Sequence, residues 1–342
     1  MTHILQTYPW LQSSWSRLEL YISQNRIPQA LLLSGNNGFG KLQLASFFSQ
    51  SILCSSPEQE IGFCGKCQSC KLFEAKTHPD FILIEPEEAG KAIGIDVIRQ
   101  LTVKLALKPQ FEAYRIVIIN FADCLSNASA NAFLKYLEEP TERTSLILIT
   151  DKPLKLPATI RSRCQEVPVS ASDEMLVKTW LKKQGVEDSI DLLLSMSQGS
   201  PLLAKEFSDK LVVDFRNSCF KQWLKVIKRE ENFIFVAEQW SKLDKGSREL
   251  LLVWLISWVM DLIKLKLDKQ ITEIINIDLI SHLKQLVEKL DLKVLYQYYD
   301  FLLLSQQRLD TQLNKQLMFE EILIQGVELT TQIKRKQLKD SF

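Results

Sequence analysis

Two short stretches hold the residues best equipped for chemistry. The first is Ser34-Gly35-Asn36-Asn37-Gly38-Phe39-Gly40-Lys41-Leu42. Glycines at such spacing let backbone N–H groups close on phosphate oxygens, and a lysine at their end meets the terminal phosphates. Gly35, Gly38, Gly40 and Lys41 are therefore the candidate nucleotide contacts, in the Walker A pattern. The next residue departs from that pattern. A Ser or Thr hydroxyl belongs there to hold magnesium, and Leu42 has no oxygen to offer. A phosphate scaffold is present without its metal ligand, so a bound ATP and a Gly-rich turn without ligand both stay open.

The second stretch is Cys64-x2-Cys67-x2-Cys70, with Cys54 shortly before it. Four thiolates so close together suit tetrahedral zinc, and they leave no ligand position for chemistry. A bacterial-type iron–sulfur run would continue with a fourth Cys four residues after Cys70. Glu74 stands there, which disfavours a cluster; free thiols are the remaining alternative. Gly62 and Gly65 supply turns between the ligands. Cys124, Cys164 and Cys219 read as small buried apolar residues, and His78 as structural.

A working P-loop ATPase also needs an acidic residue at the end of a central strand, and AAA+ ATPases add a Glu beside it. The matching strand ends Ile118-Ile119-Asn120-Phe121-Ala122-Asp123. Asn120 brings no charge to a metal and Phe121 cannot act as a base. Asp123 comes too late in the register and is expected to cap the following turn. Two independent sites are thus disabled, which argues against intrinsic hydrolysis.

The elements around these residues follow from periodicity. Ala30–Leu33 reads as a buried strand and Lys41–Ile52 as the helix after the loop. Residues 1 to about 29 carry an amphipathic helix with Trp10, Leu11, Trp15, Leu18, Leu20 and Tyr21. Phe81–Ile84 reads as a short buried strand. A helix starts at Ile95-Asp96, with Asp96 at or near its N-cap. Arg115–Asn120 and Ser145–Thr150 are continuous apolar strands, and Gln165–Val169 a fifth. Ser126–Glu139 is a helix stopped by Pro140. Strands alternating with helices argue an α/β fold with a parallel sheet covered on both faces. After Pro168 the strands stop. Residues 172–207 suggest short helices, and 209–342 are almost pure helix. The stretch from Leu250 to Leu267 is apolar nearly all round, for burial within its own bundle or against neighbouring subunits. Lys334-Arg335-Lys336 reads as a solvated helix end.

The chain has 342 residues, room for two or three domains. Its net charge of +1 gives no global electrostatic case for nucleic acid or membrane. The longest apolar run, Leu250 to Met260, is too short to span a bilayer. With no basic-then-apolar leader, a cytoplasmic location is expected.

Several stretches together resemble one family. They are Ile27-Pro28-Gln29-Ala30-Leu31-Leu32-Leu33, the Cys64–Cys70 module, His78-Pro79-Asp80-Phe81, Ile95-Asp96-x-Ile98-Arg99, Asn131-Ala132-Phe133-Leu134-Lys135-Tyr136-Leu137-Glu138-Glu139-Pro140 and Ile160-Arg161-Ser162-Arg163-Cys164. The set resembles the AAA+ clamp-loader family of bacterial DNA polymerase III, densely over residues 1–208 and more thinly beyond. The broken motifs are closer to its delta-prime branch than to its gamma/tau ATPase branch.

The resemblance implies an α/β AAA+ P-loop domain over 1–168 with the zinc module at 54–70, a helical lid domain over 169–208, and an all-α collar domain over 209–342. It implies a ring of five with gamma/tau and delta subunits, which opens a sliding clamp and loads it on primer–template DNA. It also gives Arg163 a role. In this family the arginine of Ser-Arg-Cys reaches ATP bound by the adjacent subunit, where a permanently charged fork stabilises charge on the γ-phosphate. Local pairing, for example with Glu166, is the alternative. Arg161 is expected to be supporting. Leu202 stands where the family's sensor-2 arginine falls, and Thr150 matches sensor 1. Asn131, Lys135 and Glu138 are expected to support fold and interface. Two other readings are weighed: an active gamma/tau-like ATPase, against which Leu42, Asn120 and Phe121 count, and a zinc-stabilised nucleic-acid-binding protein with a relic P-loop, against which the neutral charge counts.

Overall fold

Short continuous β-branched and leucine runs suit strands of a parallel sheet that is covered on both faces. The computed structural model describes residues 4–57, 62–88, 91–111, 114–139, 141–187, 189–210, 212–268, 271, 273–288, 290–309 and 314–339, with side chains to residue 329. In it these runs form one five-stranded sheet of β1 (Ala30–Ser34), β2 (Phe81–Ile84), β3 (Arg115–Ile119), β4 (Thr144–Thr150) and β5 (Gln165–Pro168). The spatial order is β2-β3-β4-β1-β5, and every pair is parallel. The three inner strands are buried at every position. The edges differ from them: β2 buries only Ile84, with Leu83 exposed, and β5 buries only Val167. The expectation of a fully buried strand at 81–84 is corrected by this edge position, where one side of the strand has no neighbour.

The helices that cover the sheet start and stop where their residues require. The Lys41–Leu53 helix opens at Gly40, whose φ of 84° favours glycine. The Ile95–Leu105 helix is capped by Gly94; Asp96 lies in its first turn, beside Arg99. The Asn127–Glu138 helix is capped by Ser126, whose hydroxyl accepts the Ser129 N–H at 3.1 Å. It buries Ala130, Phe133 and Leu137 against the sheet and leaves Asn131, Lys135 and Glu138 exposed. The stop assigned to Pro140 lies outside the described residues, as do the side chains of Lys334-Arg335-Lys336. The amphipathic N-terminal segment is broken into short pieces around Pro9–Leu11 and Gln12–Ser23; it buries Trp10, Leu11, Trp15 and Leu18 but exposes Leu20.

The chain divides into two compact units, residues 1–187 with 198–204, and 188–197 with 205–342. The first holds the sheet. The second is helical: its Lys245–Leu267 helix packs against the Ile280–Val287 and Leu292–Arg308 helices, and the Lys315–Lys339 helix packs against Val212–Ile227, Phe233–Ser241 and Leu292–Arg308. Trp223, Trp240, Trp254 and Trp258 are fully buried there. The nearly all-apolar helix is therefore covered within its own bundle. One polar knot sits in that core. Arg216 donates to Asp278 at 2.8 Å and 3.1 Å and to Asn276 Oδ1 at 2.5 Å, and the buried Asp261 accepts Asn276 N and Nδ2 at 2.8 Å and 2.7 Å.

Candidate functional site

The parallel sheet brings the C-terminal ends of β1, β3 and β4 to one edge, where ligands of open α/β sheets bind. The Gly-rich loop leaves β1 there. Its geometry is tight. A Cβ at Gly35 would collide with the Val169 carbonyl, and one at Gly38 would lie 2.8 Å from Leu203 Cβ. Leu202 N–H donates to Gly38 O at 3.1 Å, and Trp10 Nε1 donates to Phe39 O at 2.9 Å. The position expected for a sensor-2 arginine thus touches the loop directly, through a leucine.

Lys41 does not face an open site. Its side chain is 4% exposed, and its ammonium donates to Gly35 O at 2.7 Å, to Asn36 O at 2.6 Å and to Asp151 Oδ1 at 2.7 Å. An ammonium has three N–H groups, and three acceptors surround this one.

The neighbouring strand ends are satisfied in the same way. Asn120 donates to Glu85 Oε1 at 2.7 Å and accepts the Phe121 N–H at 3.1 Å. Phe121 sits at φ 56° with its ring part exposed. Asp123 does not cap the turn as expected: its Oδ1 accepts the Thr150 hydroxyl at 2.7 Å, and Thr150 Oγ1 accepts the Lys152 N–H at 3.0 Å. ATP, which a P-loop fold implies, does not fit these residues. Its lysine is engaged internally, Leu42 carries no hydroxyl, and Asn120 replaces the metal-binding carboxylate.

The four cysteines do come together. Cys54 ends the loop helix, Cys67 caps the Gln68–Glu74 helix, and Cys70 lies inside it. The Sγ atoms of Cys54, Cys64, Cys67 and Cys70 all lie within 4.8 Å of one another, with Cys54 3.6 Å from Cys64 and 4.0 Å from Cys67. Tetrahedral ligation at a Zn–S distance of about 2.3 Å needs sulfurs about 3.8 Å apart. Backbone N–H groups point at the sulfurs: Cys64 N at Cys54, Lys66 N and Cys67 N at Cys64, and Cys70 N at Cys67. Burial opposes ionisation of Cys67, but the N–H groups of Cys70 and Ser55 outweigh it and bring that thiol down to about 6. The N–H groups of Lys66 and Cys67 lower Cys64, and burial raises Cys54 and Cys70. The donor set fits a metal ion with four sulfur ligands. Of the three cysteines expected to be buried, Cys219 is, while Cys124 and Cys164 are only partly buried at the rim of the sheet core. Burial pushes Cys164 and Cys219 up to about 12.

Arg163 follows the Ala158–Arg161 turn just before β5. It keeps 36% of its side chain in solvent while Nη2 meets Glu138 Oε1 at 2.7 Å and Nη1 donates to Thr159 O at 2.8 Å. Its partner is Glu138 and not Glu166, which instead accepts the Ser34 hydroxyl at 2.5 Å. Sequence reasoning missed Asp151 and Glu85 altogether. A signal for Asp151 was available: pairing β1 with β4 puts Ser34 opposite Thr150, so the next residue falls beside Gly35.

A P-loop scaffold, a five-stranded parallel sheet with β1 between β4 and β5, and a helical C-terminal unit define the AAA+ class, here with a degenerate nucleotide loop. Residues 10–173 match the family described as DNA polymerase III, delta subunit, and residues 214–328 match DNA polymerase III, delta subunit, C terminal. The chain belongs to the DNA polymerase III delta' family. It is similar to the DNA polymerase III subunit delta' of Pseudomonas aeruginosa, 31% identical over 94% of this chain and 98% of that one. It is also similar to the subunit delta' of Haemophilus influenzae, 30% identical over 76% of this chain and 78% of that one. Among solved structures, a gamma-subunit-related DNA polymerase III protein of Thermotoga maritima matches at 18% identity and a TM-score of 0.45, over 93% of this chain and 99% of that one. Among the described residues no helix is long and apolar enough to cross a membrane.

Proposed function

We propose that this clamp-loader subunit does not hydrolyse ATP itself and completes the ATP site of a neighbouring motor subunit with Arg163. The observation that carries the reading is the contrast between two cations. Lys41, the residue a working motor turns toward ATP, is buried against three acceptors of its own chain. Arg163 is the cation left in solvent, with Glu138 and the Thr159 carbonyl fixing its fork. A guanidinium so held is oriented for a phosphate presented from outside the chain.

In this reading the partners are gamma/tau and delta subunits in a five-membered ring, acting on a sliding clamp and primer–template DNA, in the cytoplasm. Zinc on Cys54, Cys64, Cys67 and Cys70 is structural. Gly35, Gly38, Gly40 and Lys41 remain as a degenerate loop. Segments 1–168, 169–208 and 209–342 serve as AAA+ domain, lid and collar.

The experiment is ATP turnover by the motor subunit with this chain, native or Arg163→Ala. Trans-acting arginines contribute about 10³–10⁵ in rate. The native chain alone should be inert. The Arg163→Ala chain should assemble normally but lose most of the stimulation; an unchanged rate in an intact assembly would overturn the assignment.

A further inference from the structure

We propose that Asp151 is the built-in anion of the degenerate loop: its carboxylate occupies Lys41 in place of a nucleotide phosphate and keeps nucleotide out. This rests on, and deepens, the reading of the chain as a non-hydrolysing subunit. A buried ammonium needs a counter-ion, since an unpaired charge away from water is costly. In a nucleotide-binding loop the phosphates supply it. Here Lys41 has two loop carbonyls and one carboxylate within 2.7 Å, and Asp151 is the only charged group of the three.

The sheet itself sets Asp151 in place. Thr150 ends β4 opposite Ser34 of β1, so Asp151 and Gly35 leave adjacent strands side by side. The anion is thus tethered, and an incoming triphosphate competes against a high effective concentration. The surroundings do not draw Asp151 away. Thr150 is engaged with Asp123 and Asn120 with Glu85. From the other side Leu203 lies against Gly38, where a Cβ would be 2.9 Å from Leu203 N, so the loop has little room to swing open. The pair is a latch that ties the start of the Lys41–Leu53 helix to the end of β4. Charge, not just the missing hydroxyl at Leu42, is what excludes the ligand.

The test uses the full chain with ATP and inorganic tripolyphosphate, by thermal melting and by equilibrium dialysis. The native chain should bind neither and show no shift. Asp151→Asn should melt lower, because Lys41 loses its counter-ion, and either anion should raise its melting temperature again. Its affinity for tripolyphosphate should exceed the native chain's by about tenfold or more, as expected for one charged hydrogen-bond partner regained. Adding Lys41→Met to Asp151→Asn should abolish that binding. Asp151→Ser serves where Asp151→Asn does not fold, with the same expectations. A folded Asp151 variant that binds neither anion would overturn the proposal, as would a native chain that binds tripolyphosphate as tightly as the variant. The Arg163 role is read from partner turnover, so either idea can fail without the other.

Discussion

His78 links the cysteine lobe to the sheet through its tautomer. Nδ1 accepts the Asp80 N–H at 3.1 Å, and Ser69 gives its only hydroxyl proton to Leu53 O at 2.6 Å. The 2.9 Å contact between Ser69 Oγ and His78 Nε2 therefore has the imidazole as donor. Protonating Nδ1 breaks the Asp80 bond, and burial lowers the His78 pKa below 6.5 against the opposing pull of Asp80. A depressed histidine contributes stability that is full above its unfolded pKa and lost as pH falls through the folded one. Urea unfolding with saturating metal should show the native chain losing more stability between pH 7.5 and about pH 5.5 than His78→Asn does. At this scale the sequence pointed to the four cysteines that converge in the fold, to the loop glycines and Lys41, and to the absence of oxygen at Leu42. It did not expose Asp151, Glu85 or the Glu138 partner of Arg163. Those pairs join residues far apart in the chain, and their identity depends on strand register and helix placement.

Elements were legible where local chemistry starts or stops them. Ser126, where the sequence starts a helix, caps it through a side chain that accepts Ser129 N at 3.1 Å. Asp244, which sequence reasoning missed, caps the Lys245–Leu267 helix by accepting Ser247 N at 3.0 Å. The Ser247 hydroxyl also donates to Asp244 and leads the contacts that lower its pKa. Asp244→Ala should cost about 1 kcal/mol, read from chemical denaturation. The edge character of β2 was not legible, because four apolar residues look alike at the middle and the rim of a sheet. The cysteine lobe is an element too, short and without much core of its own. Removing metal by chelation, or changing Cys67 to Ser, should release one equivalent of zinc by elemental analysis and lower the melting temperature. A chain that carries no metal as purified and melts unchanged would refute the site.

At the scale of the whole molecule, the two compact units have separate buried anchors. Breaking a buried ion pair by removing one partner costs about 3–5 kcal/mol. Arg216→Ala, which strands Asp278 and Asn276, should therefore lower the unfolding transition of the helical unit, whereas chelation should act on that of the sheet unit. Calorimetry or hydrogen exchange resolved by segment would separate the two effects. The sheet's order carries a consequence for synthesis. β1 is made early, yet Leu31 pairs with Ile147 on one side and with Gln165 on the other. At about 5–20 residues per second the ribosome needs roughly ten seconds to make the intervening chain. Throughout that interval Ala30-Leu31-Leu32-Leu33 is an apolar strand without neighbours, a ready template for the wrong partner. Nascent chains stopped before β4 should be bound by chaperones and cleaved quickly by protease, and chains extended past β5 should resist both.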